Sequence, residues 1–209
     1  MADSDYWGVF IRKYPHQIPN WSGSGGLWTQ CPDIISGGTS ELDPNQLLKD
    51  YKTPPTAPPA PAPFTLNQAN YVYVTGENTA PQPMTVRVWI FWVAQSTCLQ
   101  PSTWLSQGVK VGGKSVNYQA LSAQAAPPWT DHTEKPIPGP PAVTTPPFVI
   151  TPAVQTTSQD QFSLVTIVDN HPTDAAKPPL PDRFATVADL ATWVSARSNV
   201  GWLNMTLVD

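Results

Sequence analysis

The alternation typical of a β-strand is clearest in Met84-Thr85-Val86-Arg87-Val88-Trp89-Ile90-Phe91-Trp92-Val93. One face of this strand is wholly apolar and consists of Val86, Val88, Ile90 and Trp92. The opposite face begins polar and ends aromatic, with Thr85, Arg87, Trp89, Phe91 and Val93. This pattern predicts a central strand of a sandwich, whose second face is covered at its far end by a loop or a partner.

A second strong strand precedes this one, over residues 70–75, where tyrosine alternates with valine. We expect the two strands to form a hairpin with a long connection. Turn residues separate further short strands, which we expect within residues 6–11, 31–36, 115–121, 148–151, 161–169 and 202–208. Many short strands with turns between them predict an all-β fold, an immunoglobulin-like antiparallel β-sandwich.

Helical signals are confined to one segment, at residues 186–198. Thr186 followed by Asp189 fits a capping box, and Leu190, Trp193 and Val194 then follow at helical spacing. The sequence predicts one short helix here. Residues 41–50 are expected to contain one helical turn.

Composition agrees with strands and loops. The 209 residues include 26 prolines and nine tryptophans, and only 12% are charged. Proline disfavours helix interiors and suits turns and strand edges, and here it concentrates in two insertions, residues 53–63 and 125–147. We expect an aromatic, glycine-rich arm over residues 1–30 and a single β-sandwich domain over residues 31–209. The arm is expected to pack on its own domain or on a neighbouring subunit.

The charge pattern excludes some partners. The net charge is −4 and the basic residues are scattered, which is not the pattern of a nucleic-acid binder. No apolar run is long enough for a membrane span, and residues 1–17 lack the apolar core of a signal peptide. We therefore expect a cytoplasmic chain, a mature form lacking its leader, or export by a leaderless route. Cys31 and Cys98 are too few for a disulfide scaffold, and either two free thiols or one bridge is compatible with them.

The sequence contains no nucleophile elbow, no metalloprotease His-Glu-x-x-His helix and no phosphate loop. The cluster at residues 131–134 supplies His132 and Glu134, which are weak candidates for a metal site because further ligands would have to converge on them. We therefore predict a protein that is not an enzyme and needs no cofactor. A hydrolase built from scattered carboxylates, such as Asp131 and Glu134, ranks below the two binding hypotheses described next.

Binding is the function that the sequence favours. Five tryptophans lie in loop-like contexts rich in glycine, proline or serine: Trp7, Trp21, Trp28, Trp104 and Trp129. Exposed aromatic rings can anchor a protein interface or stack on a sugar, whereas buried ones would cap the core. The leading hypothesis is recognition of a protein partner, or self-association, through the aromatic loops and the N-terminal arm. The alternative is a lectin-like carbohydrate-binding module.

Several short motifs carry a resemblance to a known family. They are Cys31-Pro32-Asp33-Ile34, the tyrosine–valine strand from residue 70, Val86-Arg87-Val88-Trp89, Pro101-Ser102-Thr103-Trp104 and the ending Trp202-Leu203-Asn204. Together they resemble a poorly characterised bacterial immunoglobulin-like module, similar to the CARDB-type adhesion folds of surface or secreted proteins. The resemblance implies architecture more than activity. The chain departs from the pattern in the proline-rich insertions and in the near absence of an asparagine-rich run before its last strand.

Overall fold

A computed structural model describes residues 7–14, 17, 27–53, 60–104, 108–128, 137–152, 161–172 and 177–208. Strands predominate in these residues, with two short helices. In chain order the elements are β1 (Val9–Phe10), β2 (Ile34–Gly38), α1 (Pro44–Lys52), β3 (Phe64–Thr65), β4 (Asn70–Asn78), β5 (Met84–Ala94), β6 (Val109–Val111), β7 (Tyr118–Ala123), β8 (Ala142–Val143), β9 (Phe148–Ile150), β10 (Phe162–Asp169), α2 (Val187–Ser195), β11 (Val200–Met205) and β12 (Leu207–Val208).

The first sheet is organised around β4. On one side, β1 pairs with the end of β4 and β2 with its beginning, both antiparallel. On the other side, β8 and β9 pair with β4, and β6 pairs with β9 as the last strand. Since β2 and β9 both pair with Tyr71 and Val72, they must lie on opposite sides of β4.

The second sheet is antiparallel and has the order β11-β10-β5-β7. A small parallel pair, β3 with β12, extends one corner. The apolar face of β5 lies between the two larger sheets, with Val86, Val88 and Ile90 buried in one core together with Val72 and Val74 of β4. The prediction of an all-β sandwich is confirmed, and its immunoglobulin-like character stays a prediction.

The other face of β5 is covered, as the alternation indicated. Trp89 and Phe91 are buried in a second core, which α2 and the turn that contains Trp104 close from outside. The capping box of α2 is present: Thr186 Oγ1 accepts from the backbone N–H of Asp189 at 3.1 Å, and Asp189 Oδ2 accepts from that of Thr186 at 2.9 Å. The predicted helix is therefore confirmed, within slightly narrower bounds.

The expectation of one helix is wrong. The segment predicted to hold a single turn forms α1, which continues to Lys52. Asp43 caps it by accepting a hydrogen bond from the backbone N–H of Asn45, and Pro44 occupies the first turn, where its missing N–H costs nothing. Leu47 and Tyr51, four residues apart, are the buried residues of α1. This spacing of one apolar and one aromatic residue was the signal for a longer helix.

The predicted hairpin between β4 and β5 is also wrong, because the two strands lie in different sheets. Their connection crosses from one sheet to the other. The Asn78 side chain braces it by donating to the carbonyl of Gln82 at 2.7 Å and accepting from the N–H of Ala80 at 2.8 Å. Both sides of β4 are occupied by other strands, so β5 pairs instead with β7 and β10.

Candidate functional site

The outer face of the first sheet is polar beneath α1. On β4, Tyr73, Thr75 and Glu77 alternate with the core valines and therefore face away from the second sheet. Tyr73 holds the start of the α1 region, since its hydroxyl accepts from the N–H of Leu42 at 2.9 Å. A buried ion pair lies against this face, and its two residues come from two other parts of the chain.

Arg12, which follows β1, and Asp33, which precedes β2, form that ion pair. Arg12 donates from Nε and Nη2 to Asp33 Oδ1 at 2.8 and 2.6 Å, and from its backbone N–H to Oδ2 at 2.7 Å. The Thr75 hydroxyl is the fourth donor to Asp33, and it donates to Oδ1 at 3.2 Å. Burial raises the pKa of Asp33, and the charge and hydrogen bonds of Arg12 oppose that rise. Because every partner of Asp33 donates, we assign its side chain as a carboxylate. Arg12 is 5% exposed and Asp33 is 0% exposed, so water screens the pair little.

Arg12 also joins this pair to α1. Its guanidinium carbon lies 3.4 Å from the centre of the Tyr51 ring, and Nη1 donates to the Tyr51 carbonyl at 3.4 Å. Burial has the largest single effect on the pKa of Arg12 and lowers it, but the charge and hydrogen bonds of Asp33, together with Tyr51 and Glu77, outweigh burial, so the pKa is raised. The arginine is therefore cationic, and it fixes the end of α1 to the sheet.

Glu77 lies beside this group and is half-buried. Burial raises its pKa to about 7, Arg12 opposes that rise and Asp33 adds to it. The carboxyl of Glu77 therefore changes charge close to neutral pH, whereas Asp33 is held by four donors.

Cys31 and Lys13 are two further ionisable groups near the pair. The Cys31 thiol lies 3.2 Å from the carbonyl oxygen of Arg12, and burial raises its pKa to about 12. Lys13 donates to the carbonyl of Val200, and burial lowers its pKa to about 8. Cys31 is thus a protonated thiol at neutral pH and not an activated nucleophile.

A cavity of about 790 Å³ adjoins the ion pair. Its walls come from four parts of the chain: α1, residues 29–36, residues 60–61 and residues 203–204 of β11, with Arg12 as a further lining residue. The apolar lining residues include Ile34, Ile35, Leu47, Tyr51 and Leu203, and the polar ones are Arg12, Thr29, Gln30, Ser36, Asp50, Thr53 and Asn204.

The structure separates the predicted tryptophans. Trp7 is 55% exposed and lies two residues before β1. Trp28 is partly buried, with its ring centre 5.4 Å from that of Trp202. Trp104 is 2% exposed, so it caps the core, which is the alternative stated for these residues. Trp21, Trp129, His132 and Glu134 lie outside the described residues.

Nothing in the sequence analysis singled out Arg12, Tyr51 or the cavity. Asp33 was noted only within a predicted strand, residues 31–36, and in a motif of the family resemblance, and the strand in fact begins at Ile34. A usable signal was an aspartate next to apolar residues in a chain with few charges, since a carboxylate there needs a buried partner. Its partner, Arg12, is distant in sequence.

Within the residues that the structure describes, no group of His, Cys, Asp and Glu side chains is arranged to hold a metal ion. None of the described helices has the length and apolarity needed to span a membrane. Cys31 and Cys98 are both buried free thiols.

Comparisons with protein-family models, with curated proteins and with solved structures found no match to this chain. The resemblance to CARDB-type modules therefore stays a prediction from short motifs, and function has to be argued from the cavity and its surroundings.

Proposed function

We propose that this chain is a non-catalytic binding protein that takes a neutral, largely apolar small molecule into the cavity beside the Arg12–Asp33 pair. The observation that carries the proposal is the cavity itself. Its volume of about 790 Å³ falls within the range of ligand pockets, roughly 300–1,000 Å³. Its lining combines aliphatic side chains with a few polar groups, which is the usual composition of such a site.

The charge of the lining favours a neutral ligand. Arg12 is neutralised by Asp33 at 2.6 Å, and Asp50 is exposed, so water screens its charge. An ionised ligand would have to lose its hydration without gaining a buried, unpaired counter-charge among the described lining residues.

Arg12 also indicates which polar group the ligand carries. Its guanidinium has more N–H donors than the bonds to Asp33 and Tyr51 use, and the described residues supply no further acceptor. A carbonyl, ether or hydroxyl oxygen on the ligand would satisfy such a donor.

The groups around the cavity support binding more than catalysis. Asp33 accepts from four donors and has little freedom to exchange a proton, and Cys31 is a thiol whose pKa is about 12. The buried pair instead makes the wall rigid, because moving Arg12 would leave Asp33 uncompensated. Protein or carbohydrate recognition through the loop tryptophans stays a hypothesis from sequence.

A fluorescence titration with the neutral probe N-phenyl-1-naphthylamine tests the proposal. We expect saturable binding to the unaltered protein. Ala60→Trp fills the cavity from an exposed lining position and should weaken binding by about tenfold or more, which corresponds to about 1.4 kcal/mol. Ala196→Trp is the matched control, because Ala196 is exposed at the end of α2 and does not line the cavity. Absence of saturable binding, or equal binding by both variants, would refute the cavity as the site.

A further inference from the structure

The free edge of the second sheet, at β7, has backbone groups that face outward. The N–H of Ile90 donates to the carbonyl of Asn117, so hydrogen-bonded pairs recur along the ladder at Gln119, Leu121 and Ala123 of β7. The N–H and C=O groups of Tyr118, Ala120 and Ser122 consequently point away from β5. Within the described part of the chain, no partner meets these groups.

Two other sheet edges are protected. Residues 29–31 cover the outer edge of β11, with the N–H of Cys31 donating to Trp202 and that of Asn204 donating to Thr29. The edge strand β6 is short and carries Lys110 with an exposed side chain. Both are common ways of preventing edge-to-edge pairing.

Among the residues that the structure describes, none protects β7 in either way. Its sequence, Tyr118–Ala123, contains no proline and no charge, and residues 115–130 contain no charged side chain. Ala120 and Ser122 are exposed. The backbone at Gly139 packs against the residues that follow β7, since a Cβ on Gly139 would be 2.6 Å from the carbonyl oxygens of Gln124 and Ala125. Ile137, two residues earlier in the chain, is 61% exposed.

We propose that β7 pairs antiparallel with β7 of a second copy of this chain, across a two-fold axis at Ala120. The register places Ala120 opposite itself and Tyr118 opposite the partner's Ser122, so all the outward backbone groups are paired. Small side chains meet at the axis, and no like charges meet along the strand.

Arg87, which lies opposite Ala120 on β5, does not oppose this pairing. Its guanidinium lies 5.1 Å from the centre of the Tyr118 ring. Three strand spacings, roughly 14 Å, would separate it from its own copy, which exceeds the Debye length at physiological salt. Strand pairing alone buries little surface, so we expect a reversible dimer with a dissociation constant in the micromolar range.

The decisive experiment uses opposite charges at the two-fold axis. Ala120→Lys and Ala120→Glu should each be monomeric in size-exclusion chromatography with light scattering, because identical charges would face each other at about 5.5 Å between Cα atoms. An equimolar mixture of the two should recover the dimer. Ala120→Pro should also be monomeric, since it removes an outward N–H that the chain itself does not use.

Ala196→Lys and Ala196→Glu are matched controls on α2 and should dimerise as the unaltered protein does. Thermal unfolding of each variant checks that the monomers remain folded. The proposal is overturned by an unaltered chain that stays monomeric at about 100 μM, where a micromolar dissociation constant would make it mostly dimeric. A dimer that persists in both Ala120 charge variants, or a mixture that stays monomeric, overturns it equally.

Discussion

The guanidinium carbon of Arg12 lies 3.4 Å from the centre of the Tyr51 ring, which joins the segment after β1 to the last turn of α1. The same guanidinium is paired with Asp33 at 2.6 Å. One side chain thus links the N-terminal segment, the start of β2 and the helix. The wall of the cavity depends on this link, and so do the first two predictions.

Removing the carboxylate of Asp33 should be strongly destabilising. Asp33→Ala leaves the buried Arg12 charge unpaired and should lower the free energy of unfolding by about 3–5 kcal/mol. Arg12→Met combined with Asp33→Leu should recover much of that loss, because no buried charge remains. Equilibrium unfolding in urea measures both. Asp50→Ala, at an exposed carboxylate, is the control and should change stability by about 0.5 kcal/mol or less. Equal losses at both positions would contradict this account.

Glu77 should make stability depend on pH in a defined direction. Its pKa in the folded protein is about 7 against an ordinary 4.5, so the folded state holds the proton more tightly. The stability that the folded state gains by binding this proton is fully present below pH 4.5 and is lost as the pH rises through about 7. Glu77→Gln cannot ionise and should be more stable than the unaltered chain above pH 7 by about 1–3 kcal/mol. Thermal unfolding across this pH range measures the difference. An unchanged slope in Glu77→Gln would rule the explanation out.

Trp104 and Trp7 should behave as a core residue and a surface residue. Trp104 packs against Phe91, Phe184, Trp193 and Trp202, with ring centres 5.7–6.5 Å away. Trp104→Ala should cost about 3–5 kcal/mol in the free energy of unfolding, because it leaves a large cavity. Trp7→Ala should cost about 0.5 kcal/mol or less. Denaturant unfolding of the pair tests the assignment, which fails if the two losses are similar.

The two cysteines should differ in reactivity. Cys31 is 2% exposed and its pKa is about 12, whereas Cys98 is 9% exposed. Iodoacetamide should therefore label Cys98 before Cys31 in the folded protein, since alkylation requires an accessible thiolate. Both should react rapidly in denaturant. Mass spectrometry of timed samples follows each site, and equal labelling rates in the folded protein would be the contrary result.

Local patterns made much of the fold predictable. The alternation along β5 correctly assigned Val88 to one core and Trp89 to the other, and the Thr186–Asp189 capping box correctly placed α2. These features depend on neighbours within one element, so a short window of sequence contains them.

The pairing of elements and the cavity were not predictable in this way. Arg12, Asp33 and Tyr51 come from three separate segments, and no local pattern records that they meet. The prediction of a hairpin between β4 and β5 was wrong for the same reason. Alternation shows that a segment is a strand, but the choice of its partner depends on which edges other strands already occupy.

The crossing between β4 and β5 has a consequence for how the chain folds. Because these consecutive strands do not pair, one edge of β4 must wait for β9 and one edge of β5 must wait for β10, both much later in the chain. A ribosome-bound N-terminal fragment cannot complete either sheet, and the face of β5 that carries Trp89 and Phe91 remains open to chaperones or to aggregation until α2 emerges. Such long-range pairing is slow to form, and we expect refolding on the timescale of milliseconds to seconds rather than microseconds.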